Sequence, residues 1–194
     1  MEMRTKITNK GTLYNHNDVL REMIQVQDHR LDEWHKEKKI LTHKTETVNK
    51  NSVGKVKFDI MPWTIWWFMA GENIGRELGS HVDSDDEFNF RRPCIVISRL
   101  KSLEDTDHNL ITILPMSTKS DGIGITKKFI HKLEKDKYPK TSKFNKGLKY
   151  NSYVVCHQMK TIDTKRLLSQ VTTRILDEDI EQIKAKIHKY IDLA

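Results

Sequence analysis

The chain has 194 residues, 37% of them hydrophobic and 31% charged, with a formal net charge of +7 and a pI near 9.3. That length holds one sizeable core, or one core plus an appendage, and excludes two full domains. The positive balance points to a polyanionic partner, and the opening Met1–Lys10 lacks the apolar stretch of a secretory signal. Ile65–Ala70 is too short to span a bilayer, so a cytoplasmic protein without membrane contact is expected.

Asn15 or Asn17 can cap a first helix running to about Leu41, with Leu20, Met23, Ile24, Leu31, Trp34 and Leu41 near helical spacing. Gln27 and Lys38 interrupt this stripe; a face so narrow packs on its own domain or serves a partner. The polar run 42–54 reads as a linker, and Lys55–Met61 as an extra strand before Pro62. Residues 1–60 are therefore expected to form a helical extension and linker, and 61–194 the main domain. Within that domain, Ile65–Met69, Cys94–Arg99, Leu110–Leu114, Ile123–Phe129 and Ser152–His157 are brief runs rich in β-branched or aromatic residues, and are predicted as strands. Helical turns are expected at Leu100–Asp105 and Thr164–Leu168. A final helix starts at a capping Asp177, with Glu178 and Asp179 at its positive end and Ile180, Ile183, Ile187 and Ile191 on one face. Short strands without long intervening helices predict a mainly β fold with helices, built as a small antiparallel barrel.

Charge is concentrated between Lys119 and Tyr150, which holds ten lysines against Asp121, Glu134 and Asp136. Phe129, Tyr138, Phe144 and Tyr150 are interleaved with them, a combination shared by grooves for single-stranded nucleic acid and by lysine-rich soluble loops. Cys94 and Cys156 lie in separate apolar runs and read as reduced core thiols. The nine histidines show no metal-ligand spacing, and no metal or cofactor is expected. Arg91 and Arg92 precede Pro93 and an apolar run, which sets fixed positive charge at the mouth of a predicted strand.

Five blocks stand in order: Ile65-Trp66-Trp67-Phe68; Asn73-Ile74-Gly75-Arg76-Glu77-Leu78-Gly79; Arg92-Pro93 with Cys94–Ser98; Pro115-Met116-Ser117-Thr118-Lys119; and His157-Gln158-Met159-Lys160-Thr161-Ile162-Asp163. This series resembles the PemK/MazF family of toxin endoribonucleases from about Ile65 to Leu193, its last block being the most specific. Residues 1 to about 60 lie outside the resemblance. The resemblance implies an SH3-like barrel with a C-terminal helix, used as a homodimer. It also implies metal-independent cleavage of single-stranded RNA or mRNA at short motifs, leaving a 2′,3′-cyclic phosphate and a 5′-hydroxyl, with a small acidic antitoxin as inhibitor.

Carried onto matching positions, the resemblance assigns catalysis to Arg92, whose planar fork suits a phosphorane, and to Ser117, which stands where the family usually has threonine. His157 replaces the commoner carboxylate before the glutamine, and imidazole suits proton transfer near neutrality; a strand-end histidine bonded to its neighbours is the other reading. Glu77, Arg91, Thr118, Lys119, Gln158 and Lys160 are the expected RNA contacts. Turn chemistry is the structural alternative for Ser117 and Thr118. Thr161-Ile162-Asp163 is expected to build a turn, with Asp163 and Arg166 as an ion pair. Two competing functions are a non-catalytic RNA-binding module on the same barrel and a gyrase poison. The second lacks the tryptophan-bearing tail expected of it, since the sequence ends Ile191-Asp192-Leu193-Ala194.

Overall fold

The computed structural model describes residues 16–43, 60–73, 77–79, 90–98, 110–118, 127–142, 145–172 and 174–192. Helix α1 spans His16–His43 and helix α2 Asp177–Ile191. Between them run β1 Thr64–Met69, β2 Arg91–Val96, β3 Leu110–Ser117, β4 Ile130–Leu133, β5 Ser152–Val155, β6 Lys160–Asp163 and β7 Leu167–Gln170. All pair antiparallel in the order β4-β5-β3-β2-β1-β7, with β6 also on β3.

Burial on both faces of the sheet explains why its central strands are apolar almost throughout rather than alternating with polar residues. Ile65, Ile95, Leu114, Met116 and Val154 point to one cluster, closed by Ile180 and Ile183 of α2. Their chain neighbours Trp66, Cys94, Val96 and Ile113 point to the other, with Phe68, Ile162 and Leu167. A third, smaller cluster joins Trp34 of α1 to Met69 and Phe90, with Leu41 and Leu168 against it. Cys94 and Cys156 are buried free thiols, as the apolar runs predict; burial raises both, Cys156 to about 11.

The antiparallel β architecture and both helices follow the sequence expectation, but among the described residues the small barrel takes the form of an open sheet: β4 and β7 stand at its two ends. Several boundaries also differ. Strand β2 begins at Arg91 rather than Cys94, so both arginines and Pro93 lie within the sheet. Pro93 is tolerated because its pairing with Trp67 leaves the ladder to its neighbours. Residues 127–129 form a 3-10 turn ahead of β4, not the end of a strand, and 123–126 lie outside the described residues. The expected strand Ser152–His157 stops at Val155, where Cys156–Gln158 coils into a 3-10 turn before β6 resumes the pairing with β3. One partner strand for β3 is thus made of two pieces, β5 and β6.

Lys160–Asp163 is a strand rather than the expected turn, and β7 extends beyond a short 3-10 turn at Thr164–Arg166. Asp163 and Arg166 do not form the expected ion pair. The Asp163 carboxylate instead accepts from Lys165 N (2.7 Å), and Arg166 donates to the carbonyls of Met69 (2.8 Å) and Ala70 (2.6 Å). In α2 the N-cap position falls to Leu176, which has no side-chain oxygen, and Asp177 opens the helix proper. Ile191, placed on the buried face from spacing, is exposed. The turn expected at Leu100–Asp105 lies outside the described residues, as does the strand expected at 55–61 apart from Ile60 and Met61. No helix among the described residues is long and apolar enough to cross a membrane.

Candidate functional site

The β2–β3 pairing sets Cys94 against Pro115, and the same register carried on two residues brings Arg92 opposite Ser117 at the strand ends. Arg92 is only 6% exposed, and Ser117 is buried beside it. The guanidinium donates through Nε to the Gly79 carbonyl at 2.5 Å and through Nη1 to the Met116 carbonyl at 3.1 Å. Both of these acceptors are neutral carbonyls, and they orient the cation. Burial pulls the Arg92 pKa down to about 10, which leaves it charged at neutral pH.

Around Gly79, residues 77–79 of the β1–β2 connection are held from three sides. Leu78 N donates to Gln158 Oε1 at 2.7 Å, and the Leu78 carbonyl accepts from Asn73 Nδ2 at 2.8 Å and from Lys160 Nζ at 3.4 Å. Lys160 also faces the exposed Glu77 carboxylate at 3.6 Å. Burial lowers the Lys160 pKa; Glu77 opposes that, while Arg166 and Arg92 add to it, so the three cations share one electrostatic neighbourhood. The fold therefore gathers Arg92, Ser117, Glu77, Gln158 and Lys160 at one end of the sheet. Gln158 reaches this place because the 3-10 turn interrupting the β5–β6 strand redirects it.

His157, in the same turn, has different neighbours. Its ring lies 6.4 Å from Phe129 and 6.0 Å, edge-on, from Tyr190 of α2. Both ring nitrogens are buried without a hydrogen-bond partner. Burial lowers the His157 pKa; the nearby Phe129 backbone opposes this only in part, without reaching hydrogen-bond geometry with either nitrogen. Thr118 and Arg91 are exposed at the site's edge, and Lys119 lies outside the described residues.

In the lysine-rich segment, Tyr138 is a core residue: its hydroxyl donates to Asp179 of α2 and accepts from Leu176 N at 3.1 Å. It is not available to stack on bases. Lys137 pairs with Glu178 at 2.7 Å, and Lys149 sits over the Tyr150 ring. Sequence reasoning missed the backbone acceptors, the carbonyls of Gly79 and Met116, because a carbonyl's role carries no residue signature. Among the described residues no three His, Cys, Asp or Glu side chains are grouped to hold a metal ion.

The family model for the PemK-like, MazF-like toxin of type II toxin-antitoxin systems matches residues 62–191. No curated protein sequence matches the chain. Among solved structures, MazF from Deinococcus radiodurans is 13% identical, with 71% of this chain and 100% of that one covered and a TM-score of 0.48. The MazE-MazF structure from Deinococcus radiodurans is 12% identical, covering 71% and 100%, at a TM-score of 0.42. The Mycobacterium tuberculosis toxin MazF-mt6 is 17% identical, covering 61% and 96%, at a TM-score of 0.40. The family match takes in every element from β1 to α2 and all the residues gathered around Arg92, and by it this chain belongs to the PemK/MazF family of toxins of type II toxin-antitoxin systems.

Proposed function

We propose that this toxin is an endoribonuclease that cuts single-stranded RNA by attack of the substrate's own 2′-hydroxyl, leaving a 2′,3′-cyclic phosphate and a 5′-hydroxyl. The observation that carries the reading is the buried, oriented Arg92 guanidinium opposite Ser117. A donor fixed in advance stabilises charge on a phosphorane without reorganising during the reaction. The Ser117 hydroxyl adds a donor to the same phosphate, while Lys160, Gln158, Arg91 and Thr118 line the route of the RNA, and Lys119 is assigned to RNA contact from the resemblance alone. Glu77, expected from the sequence only as an RNA contact, is a second candidate proton acceptor beside His157, because it rides on the loop that Arg92 binds while His157 is held among aromatic rings. Membership of a toxin-antitoxin family supports an antitoxin as inhibitor; its small size and acidity, and a homodimer as the active form, are carried over from the resemblance.

The test is incubation of the purified protein with unstructured RNA in EDTA, with end-group analysis. Wild type should cut, and Arg92→Ala should still bind RNA but lose about a hundredfold or more in cleavage rate. Binding without cutting by the wild type would favour the non-catalytic RNA-binding module. Arrest of gyrase in place of RNA cleavage would favour the poison. A pH–rate limb in the carboxylate range that Glu77→Gln removes supports Glu77 as the base; an imidazole limb removed by His157→Gln returns the role to His157.

A further inference from the structure

Helix α1 precedes the family region, yet it is seated on the loop that holds Arg92. Trp34 is 5% exposed, packs on Phe90 with ring centroids 5.3 Å apart, and covers Gly71 so closely that a Cβ there would come within 2.3 Å of the indole ring. One turn earlier, Arg30 donates from Nε (3.2 Å) and Nη2 (2.5 Å) to Glu72 Oε1. Gly71 and Glu72 are not remote from the site. A Cβ on Gly79 would stand 2.9 Å from the Gly71 carbonyl and 3.3 Å from Asn73 N, so the two limbs of the loop are in contact. The Gly79 carbonyl on the second limb is the acceptor for Arg92 Nε. Arg166 completes the seat, its guanidinium between the Trp34 and Phe68 rings while it bonds the carbonyls of Met69 and Ala70.

We propose that α1 is a strut that sets the position of the Arg92 guanidinium through the β1–β2 loop, with Arg30 and Trp34 as positioning residues. The chain of contacts runs from Arg30 and Trp34 to Glu72 and Gly71, across the glycine contact to Gly79, and from its carbonyl to Arg92. Each link is a hydrogen bond or a contact with no slack, so a shift of α1 is passed on rather than absorbed. Two donors of one partly buried guanidinium converge on a single Glu72 oxygen, a charge-assisted contact from a rigid fork that a lysine ammonium would not reproduce. Neither residue touches substrate; their effect is on where the phosphate-binding fork stands. The effect on rate rests on the endoribonuclease reading, whereas the mechanical link does not.

The experiment uses the full-length protein and pairs RNA cleavage with NMR of the Arg92 Nε–H, assigned by its disappearance in Arg92→Lys. Arg30→Glu should lower kcat by about tenfold or more while KM changes by less than about threefold, since geometry rather than affinity is lost. The Nε–H resonance should move in the same variant. The exchanged pair Arg30→Glu with Glu72→Arg should recover most of kcat and return the resonance, which a merely destabilising change would not do. Trp34→Ala should act in the same direction. Cleavage at the wild-type kcat with an unmoved resonance in Arg30→Glu, or no recovery in the exchanged pair, overturns the strut and leaves the endoribonuclease reading standing. A resonance that moves and returns in a protein that never cuts RNA supports the strut and removes the endoribonuclease reading.

Discussion

An arginine on a β-strand ordinarily sends its guanidinium to water, but Arg92 is drawn inward by two carbonyls from different parts of the chain. The dipeptide Arg92-Pro93 and the hydroxyl of Ser117 stand out in the sequence, and the strand register brings the two positions opposite each other. The distinction between Arg92 and Arg91 rested on position alone, and burial now separates them, one inside the sheet's end and the other exposed. The chemistry of His157 is legible in the sequence, but its surroundings are not, because Phe129 and Tyr190 are distant in sequence and meet it only through the β4–β5 pairing and α2 respectively. A histidine whose nitrogens are buried without partners resists protonation. Its folded pKa lies below its ordinary value of 6.5, so below that pH the unfolded chain binds a proton the folded chain refuses. Stability therefore falls as pH drops through the region between the two pKa values. Melting temperature measured against pH should decline there in wild type, and His157→Phe should flatten that decline. An equal slope in both proteins would mean that other groups carry the acid sensitivity.

Helix α2 is fastened to β4 and to the chain after it by a polar group as well as by isoleucines. Asp179, 6% exposed in the first turn, accepts from Tyr138 Oη and faces His131 Nε2 at 2.6 Å. Burial and the neighbouring carboxylate push the Tyr138 pKa up, so the phenol stays protonated and donates. Tyr138→Phe removes that donor and strands Leu176 N, and should cost about 1–3 kcal/mol of unfolding free energy with faster amide exchange in the first turn of α2. A denaturation midpoint within error of wild type would show that water replaces the phenol. The isoleucine stripe of α2 was legible because helical spacing repeats, whereas the acid that docks it reads in sequence as one more favourable charge at a helix start. Strands β6 and β7 were hidden for a related reason. Four-residue strands with polar members, Lys160–Asp163 and Leu167–Gln170, are defined by pairing to β3 and β1 rather than by their own pattern.

The excess positive charge is the property most directly tied to a polyanion, and the described part of the lysine-rich segment keeps much of it at the surface. Lys137 pairs with Glu178 and Lys149 lies over the Tyr150 ring, and Lys135, Lys140 and Lys146 also have exposed side chains on the same stretch. Changing Lys135, Lys140, Lys146 and Lys149 to glutamine should weaken RNA binding and reduce the salt slope by roughly 0.7 for each phosphate no longer neutralised. An unaltered slope would assign them to solubility. Composition foretold this charge and hydrophobic runs foretold the sheet, but neither indicated how closely Arg30 and Trp34 of α1 are built into the domain that follows. Gly71 shows how close that integration is. Its φ of +75° and the indole over its Cα exclude a side chain on independent grounds, so the first loop of the toxin domain is shaped to fit a helix outside the family boundary. The extension and the domain are thus not interchangeable modules: a 62–191 fragment fused to a foreign leader would keep the family's pattern and lose the surface its own loop was fitted to.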